Sequence, residues 1–137
     1  TMATGTAGTV ARQYHTAQIH YLRKDITFAD AATTVTVGVI PAGAIILEAI
    51  SGVYVDTVFN AGTNNRLDIG VSTDSGTNNF ATLLTLLGIG MIELDEVAAT
   101  LKVASDSTIQ AYVDVTGTAA TTGAASILIA YIPANAT

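Results

Sequence analysis

The sequence predicts an all-β protein, an antiparallel β-sandwich or jelly roll with an extended N-terminal arm. Apolar residues recur at every second position in several short runs, as they do in half-buried strands. Clusters of Gly, Asn, Asp, Ser and Thr separate these runs, as turns separate short strands. Half of the 137 residues are hydrophobic and none is cysteine. A chain of this size therefore folds around an apolar core without a disulfide framework.

The N-terminal part is predicted to comprise an arm and a first strand. Residues 1–10 are almost entirely Thr, Ala and Gly, and they offer too little apolar surface to bury. Residues 13–28 are richer in aromatic and aliphatic side chains and are interpreted as one or two strands, at a sheet edge. We therefore divide the chain into an arm with the first strand, residues 1–28, and a single sandwich domain, residues 29–137.

The most apolar stretch, residues 35–56, is predicted to form two strands and a turn. Pro41 and Glu48 disfavour a membrane-spanning helix, because proline breaks the helix and the carboxylate would lie near mid-bilayer. Residues 34–39 alternate as a strand, and the Pro-Ala-Gly that follows suits a turn. A long strand is predicted over residues 44–55, with one face inward and the other too apolar to be simply solvated. The inward face comprises Ile45, Leu47, Ala49, Val53 and Val55. The other face comprises Ile46, Glu48, Ile50 and Tyr54.

Further strands are predicted downstream. Residues 66–72, 91–95, 100–103 and 108–115 alternate between polar and apolar side chains. Residues 126–132 are apolar on both faces, which is typical of a central strand or an interface strand. The segment of residues 80–87 is ambiguous, because its apolar residues also follow helical spacing and allow one or two helical turns.

Charged residues are scarce and unevenly distributed. They make up 12% of the chain, against about 25% in an average globular protein. This favours a surface partly covered by other subunits over one kept soluble by threonine hydroxyls. The first 24 residues hold three basic residues and no acid, whereas the remainder holds two basic and eleven acidic residues. We expect the N-terminal segment to dock on an acidic surface and the acidic body to repel nucleic acid.

No residue pattern predicts catalysis, a cofactor or a bound metal. His15 and His20 would lie on opposite faces of a strand and lack a third convergent ligand. Glu93 and Asp95 read as the hydrated face of a strand rather than an acid/base pair. The Asn and Asp residues of the loops lack the spacing of a calcium-binding loop and are ordinary turn residues. We therefore expect a protein that is not an enzyme.

Two segments resemble small virion proteins of tailed bacteriophages. Residues 34–46 read TVTVGVIPAGAII, and residues 53–70 read VYVDTVFNAGTNNRLDIG. In those proteins a G-x-x-PAGA turn is followed by a strand and by FNAG and LDIG motifs. The C-terminal SILIAYIPA, residues 126–134, fits the same pattern. The resemblance covers roughly residues 34–80 and is strongest to capsid decoration, or cement, proteins.

The resemblance implies a function in the virion. Decoration proteins are β-sandwich or jelly-roll subunits, often homotrimers, that clamp adjacent subunits of the major capsid protein. It implies a place on the capsid exterior after assembly in the host cytoplasm, with no membrane or nucleic-acid partner and no catalytic residue. A tail or head-fibre component is the alternative within the virion. A soluble carbohydrate-binding jelly-roll module is the alternative outside it.

Two sets of residues are expected to make the contacts. Docking on the capsid is assigned to basic and aromatic residues of the N-terminal segment, namely Arg12, Tyr14, Arg23 and Lys24. Contacts between subunits are assigned to the two strands that are apolar on both faces, at Ile46, Ile50, Tyr54, Leu128, Ala130 and Ile132.

Overall fold

The computed structural model describes residues 19–72, 79–95 and 101–134. Within these residues lie nine strands and two short 3-10 helices, which cover Phe28–Asp30 and Glu48–Ile50. The strands are β1 (His20–Thr27), β2 (Thr34–Ile40), β3 (Ile45–Ile46), β4 (Gly52–Thr57), β5 (Asn64–Val71), β6 (Ala81–Thr85), β7 (Gly90–Glu93), β8 (Ser107–Thr116) and β9 (Ala124–Ile132). None of the described helices is both long and apolar enough to cross a bilayer.

The strands form two antiparallel sheets, ordered β1-β9-β4-β7 and β2-β8-β5-β6. The two-residue β3 also pairs with β9. Its partners there are Tyr131 and Ile132, at the end of β9 that does not pair with β4. Apart from β3, the pairs are nested along the chain: β1 with β9, β2 with β8, β4 with β7, and β5 with β6. Nested antiparallel pairs divided between two packed sheets are the topology of a jelly roll, so the predicted fold class is confirmed. Most of the predicted arm lies outside the described residues.

The core lies between the two sheets and is lined by alternate residues of the strands. In β8 the alternation is as predicted, because this strand is paired on both sides and uninterrupted. Phe59 and Phe80, from the loops beside the sheets, are the largest fully buried side chains. The inner faces also contribute Val53, Val55, Leu67, Ile69, Ile109, Ala111, Val113, Val115, Ile127 and Ile129.

The strand β1 is an edge strand of the first sheet. It pairs with β9 over its whole length, from His20 opposite Tyr131 to Thr27 opposite Ala124. Ile26 at its end is buried in the core. The strand that follows the predicted arm is thus part of the sandwich.

The long strand predicted over residues 44–55 is interrupted. β3 ends at Ile46, and the 3-10 helix Glu48–Ile50 separates it from β4. Because of this helix, the inward-facing positions of β3 and β4 do not belong to one continuous alternation of side chains. Ile46 points into the core with 2% of its surface exposed, while Ile45 is 46% exposed. The outward face predicted for Ile46 was therefore wrong.

The ambiguous segment of residues 80–87 contains a strand, β6, with a bulge. The pairing shifts between Leu67 and Ile69, which lie opposite Leu84 and Ala81. Leu83 takes a positive φ of 58° there, and its N–H donates to the Asp68 carboxylate at 2.6 Å. The bulge buries both Ala81 and Leu84. Because these residues are three apart, the strand imitates helical spacing.

Candidate interaction surfaces

The outer face of the sheet β2-β8-β5-β6 is mainly polar. Its cross-strand neighbours include Thr34 opposite Tyr112 and Arg66 opposite Asp114. Arg66 Nη2 lies 3.0 Å from Asp114 Oδ2 in an ion pair. Burial raises the pKa of Asp68 on this face, and the N–H of Leu83 partly offsets this by bonding to the carboxylate. Such a surface is compatible with water.

The outer face of the sheet β1-β9-β4-β7 carries exposed apolar side chains on all four strands, beside the charged Arg23, Asp25 and Glu93. In the pairing register, Tyr21 lies opposite Ala130 and Tyr54 opposite Met91. Tyr21 is 70% exposed, and Tyr54 and Met91 are each 42% exposed. We define the apolar sheet face as Tyr21, Ile45, Tyr54, Met91, Leu128, Ala130 and Ile132.

A shallow cleft of about 210 Å³ indents the apolar sheet face. Pockets for small molecules are commonly about 300–1,000 Å³, so this cleft suits one or two protein side chains better than a cofactor. Its lining is contributed by β1, β4, β7 and β9, at Arg23, Tyr54, Asp56, Met91, Ser126 and Leu128.

A hydrogen-bonded triad fixes the polar side of the cleft. Arg23 Nε donates to Asp25 Oδ1 at 2.9 Å, and Ser126 Oγ donates to the same oxygen at 2.8 Å. Arg23 Nη2 also donates to Ser126 Oγ at 3.2 Å. The hydrogen bonds from Arg23 and Ser126 lower the pKa of Asp25, and the hydrogen bond to Asp25 raises the pKa of Arg23. The guanidinium is thereby held in place beside the apolar lining.

The structure brings together most residues assigned to subunit contacts. Tyr54, Leu128, Ala130 and Ile132 belong to the apolar sheet face, although Ala130 is itself 6% exposed. Ile50 is exposed on the neighbouring 3-10 helix, which packs against β7 and β9. As a core residue, Ile46 is not available to a neighbouring subunit, for the reason given above. The part that the other five play between subunits stays a prediction.

Three members of the apolar sheet face were missed by the sequence reasoning. Ile45 was predicted to face inward and Ile46 outward, and the structure has the reverse. Tyr21 and Met91 were recognised as strand residues, but nothing local shows that β1 and β7 belong to one sheet with β4 and β9. The alternation over residues 91–95 could have identified Met91, because it turns Ile92 inward and therefore Met91 outward.

The residues assigned to capsid docking are only partly described. Arg23 lies on the outer face of β1, opposite Leu128, and Lys24 is the next residue, opposite Ile127. Both are exposed, and their side chains project from opposite faces of the strand. Arg12 and Tyr14 lie outside the described residues. Among the described residues, no group of three or more His, Cys, Asp or Glu side chains could hold a metal ion.

Comparison with known proteins finds a likeness in fold. No protein-family model matches the sequence, and no curated protein matches it. Among solved structures, the chain is similar to one from the "Cyanophage Pam1 capsid asymmetric unit", with a TM-score of 0.60 and 15% sequence identity. The match covers 85% of this chain and 86% of the other.

Proposed function

We propose that this chain is a structural protein of a phage virion, a decoration or cement protein that binds the major capsid lattice and stabilises it. The fold similarity to a chain of a cyanophage capsid supports the broader part of this proposal. The sequence resemblance over residues 34–80 supports the narrower part. The observation that carries the proposal is the apolar sheet face, because large apolar side chains exposed together on one side of a sheet mark an interaction surface.

The energetics favour coverage of this face by protein. Full burial of a large apolar side chain is worth about 1.5–3 kcal/mol, so burying the exposed part of Tyr54, Met91 or Ile132 contributes about 1 kcal/mol each. One subunit gains several kcal/mol in this way. A lattice bridged by many such subunits resists expansion, because several weak contacts must open together. In this proposal the chain acts mechanically, as a non-enzymatic homotrimer on the capsid exterior.

The basic residues of β1 provide the docking site in this proposal. Arg23 and Lys24 stand on an edge strand of an otherwise acidic body, and Arg12 and Tyr14 precede them in the chain. An acidic surface of the major capsid protein complements this segment, and such complementarity speeds and orients association. Long-range attraction of this kind weakens as salt is added.

Co-sedimentation with capsids that lack the chain tests the proposal. We expect the purified chain to pellet with these capsids and to raise the temperature at which they open. Lys24→Glu should weaken binding severalfold, whereas Lys24→Arg, which keeps the positive charge at the same exposed position, should bind normally. If the parent chain remains in the supernatant at all concentrations, the cement function is refuted. Binding to tails or to a sugar instead would favour the alternative functions.

A further inference from the structure

Among the described residues, β1 is the only edge strand that is both long and regular. The two sheets have four edge strands, namely β1, β7, β2 and β6. Protein edges are commonly blunted by bulges or by short length, because an open edge pairs with other strands. β2 has a bulge between Thr36 and Gly38, β6 is bulged where it pairs with Leu67 and Ile69, and β7 has four residues. β1 instead pairs without interruption over eight residues.

The backbone of β1 presents hydrogen-bonding groups along its open side. Directly after the strand, Phe28 N–H donates to Gly123 O, beside β9, at 3.1 Å. Backbone groups alternate between the two sides of a strand, so the N–H and C=O groups of Tyr21, Arg23 and Asp25 point away from β9. Within the described part of the chain, β9 is the only strand that pairs with β1. The open side is therefore a template for one more strand.

The open side of β1 is accessible and has a defined end. Thr27 N–H, on the same side, donates to Asp30 Oδ2 at 2.9 Å and closes the edge there. All residues of β1 except Leu22 and Ile26 are exposed, so the facing strand β2 does not cover the edge. An added strand would run beside residues 21–25.

Lys24 determines which strand fits. It lies between Leu22 and Ile26 on the face of β1 that is turned towards the other sheet. Its ammonium forms no ion pair with another described residue. An added strand would place a side chain directly opposite Lys24, about 5 Å away between the Cβ atoms. An apolar side chain there would desolvate the ammonium without compensation, whereas a carboxylate would supply the counter-charge.

A second copy of this chain is a poor occupant of the open edge. Two β1 strands related by a two-fold axis keep their faces aligned in two registers that pair seven residues each, 20–26 or 21–27. The first register places Arg23 opposite Arg23, and the second places Lys24 opposite Lys24. Like charges directly opposite each other destabilise a strand pair. The segment before β1 contains no acidic residue, so the arm of a neighbouring copy supplies no carboxylate either.

We propose that the open side of β1 accepts an extended acidic segment of a different protein as an additional strand, with an Asp or Glu opposite Lys24. The inference rests on the proposed function, in which that protein is the major capsid protein, and deepens it by naming the mode of contact. Backbone hydrogen bonds to Tyr21, Arg23 and Asp25 hold the added strand in place. The carboxylate opposite Lys24 fixes its register.

Amide hydrogen exchange distinguishes strand addition from docking by side chains alone. In the free chain, the outward N–H groups of Tyr21, Arg23 and Asp25 should exchange rapidly. In the chain bound to capsids, mass spectrometry of peptides covering residues 20–27 should show exchange of these amides slowed by about 10-fold or more. Peptides covering the bulged edge β2 provide the control and should change little. Bound chain without slower exchange in residues 20–27 would overturn the proposal.

A proline substitution tests the open backbone directly. Proline is tolerated in an edge strand where the N–H faces away from the sheet, so Arg23→Pro should keep the circular dichroism spectrum of the parent. Arg23→Ala is the matched control, because it removes the same side chain and keeps the N–H. Arg23→Pro should bind capsids about 10-fold more weakly than Arg23→Ala, through the lost hydrogen bond and the ring that occupies its place. Equal binding by two folded variants would overturn the proposal.

Carbodiimide coupling, which joins an amine to a contacting carboxylate, identifies the partner of Lys24. We expect a cross-link from Lys24 to an Asp or Glu of the capsid protein, located by mass spectrometry of peptides. Lys24→Arg should bind capsids and lose this cross-link, because a guanidinium does not couple. Coupling of Lys24 to another copy of this chain, or no coupling of Lys24 in capsid-bound chain, would overturn the proposal.

The two proposals fail in different ways. A chain that pellets with capsids but shows neither slower exchange in β1 nor a Lys24 cross-link refutes strand addition and leaves the cement function intact. A chain that never pellets with capsids refutes the cement function, and the capsid contact of β1 with it.

Discussion

Gly52 is the position at which one added methyl group should do most damage to the apolar sheet face. It starts β4, has a φ of +153°, and lies opposite Glu93 of β7. A Cβ there would overlap Ile92 O and lie 2.9 Å from Ile92 C and 3.0 Å from Glu93 Cα. The obstructing atoms are backbone, so Gly52→Ala must move β7 away from β4.

The cost of Gly52→Ala can be estimated from two contributions. A non-glycine residue held in this region of backbone space costs about 1–3 kcal/mol. Loss of about two backbone hydrogen bonds where β4 meets β7 costs about 1–3 kcal/mol more. The expected loss is about 2–6 kcal/mol of a total stability that is usually about 5–15 kcal/mol.

Urea unfolding followed by circular dichroism measures this loss. Gly88→Ala is the matched control, because the same methyl group is added there in open space. It should leave stability unchanged or raise it by about 0.4–1 kcal/mol, through the reduced entropy of the unfolded chain. If Gly52→Ala falls within about 0.5 kcal/mol of the parent, the close pairing of β4 and β7 described here is incorrect.

Two further predictions concern the polar side chains of Ser51 and Asp68. Ser51 is buried, and its Oγ accepts from Ala130 N–H at 2.8 Å and donates to Ala130 O at 3.3 Å. Ser51→Ala should therefore cost about 1–3 kcal/mol in urea unfolding, and a loss no larger than that of the exposed Ser72→Ala would contradict this. Burial raises the pKa of Asp68 in the folded state, so the folded state favours the protonated carboxyl. Stability of the parent relative to Asp68→Asn should thus rise as the pH falls from neutral through the acidic range; a difference that is flat or falls would refute this sign.

Local pattern was sufficient where a strand is regular. The alternation of residues 108–115 predicts the buried face of β8, because that strand has partners on both sides and no bulge or break. It failed over residues 44–55, where a single turn of 3-10 helix reverses which of Ile45 and Ile46 faces inward. It was ambiguous over residues 80–87, where the bulge at Leu83 gives a strand the spacing of a helix.

The candidate site was harder to predict than the fold class. Residues 126–132 are apolar on both faces, and this pattern predicted that Leu128, Ala130 and Ile132 lie on an apolar outer face. The prediction was possible because the inner face of β9 packs in the core and its outer face is apolar as well. The cleft could not be predicted, since its lining comes from four strands that are distant in sequence, and β1 and β9 are joined only by long-range pairing. The exposure of Leu87 and Ile89 could not be predicted either, because it depends on which neighbours leave these side chains uncovered.

Oxidative footprinting of Tyr54 and Met91 tests most directly whether the apolar sheet face is covered by other subunits in the virion. Both side chains react readily with hydroxyl radicals when exposed, and Tyr112 on the polar outer face of the other sheet provides an internal reference. We predict that oxidation of Tyr54 and Met91 drops severalfold in virions that carry the chain, compared with the isolated chain at high dilution, while that of Tyr112 changes little. Equal oxidation of Tyr54 and Met91 in both states would contradict the account.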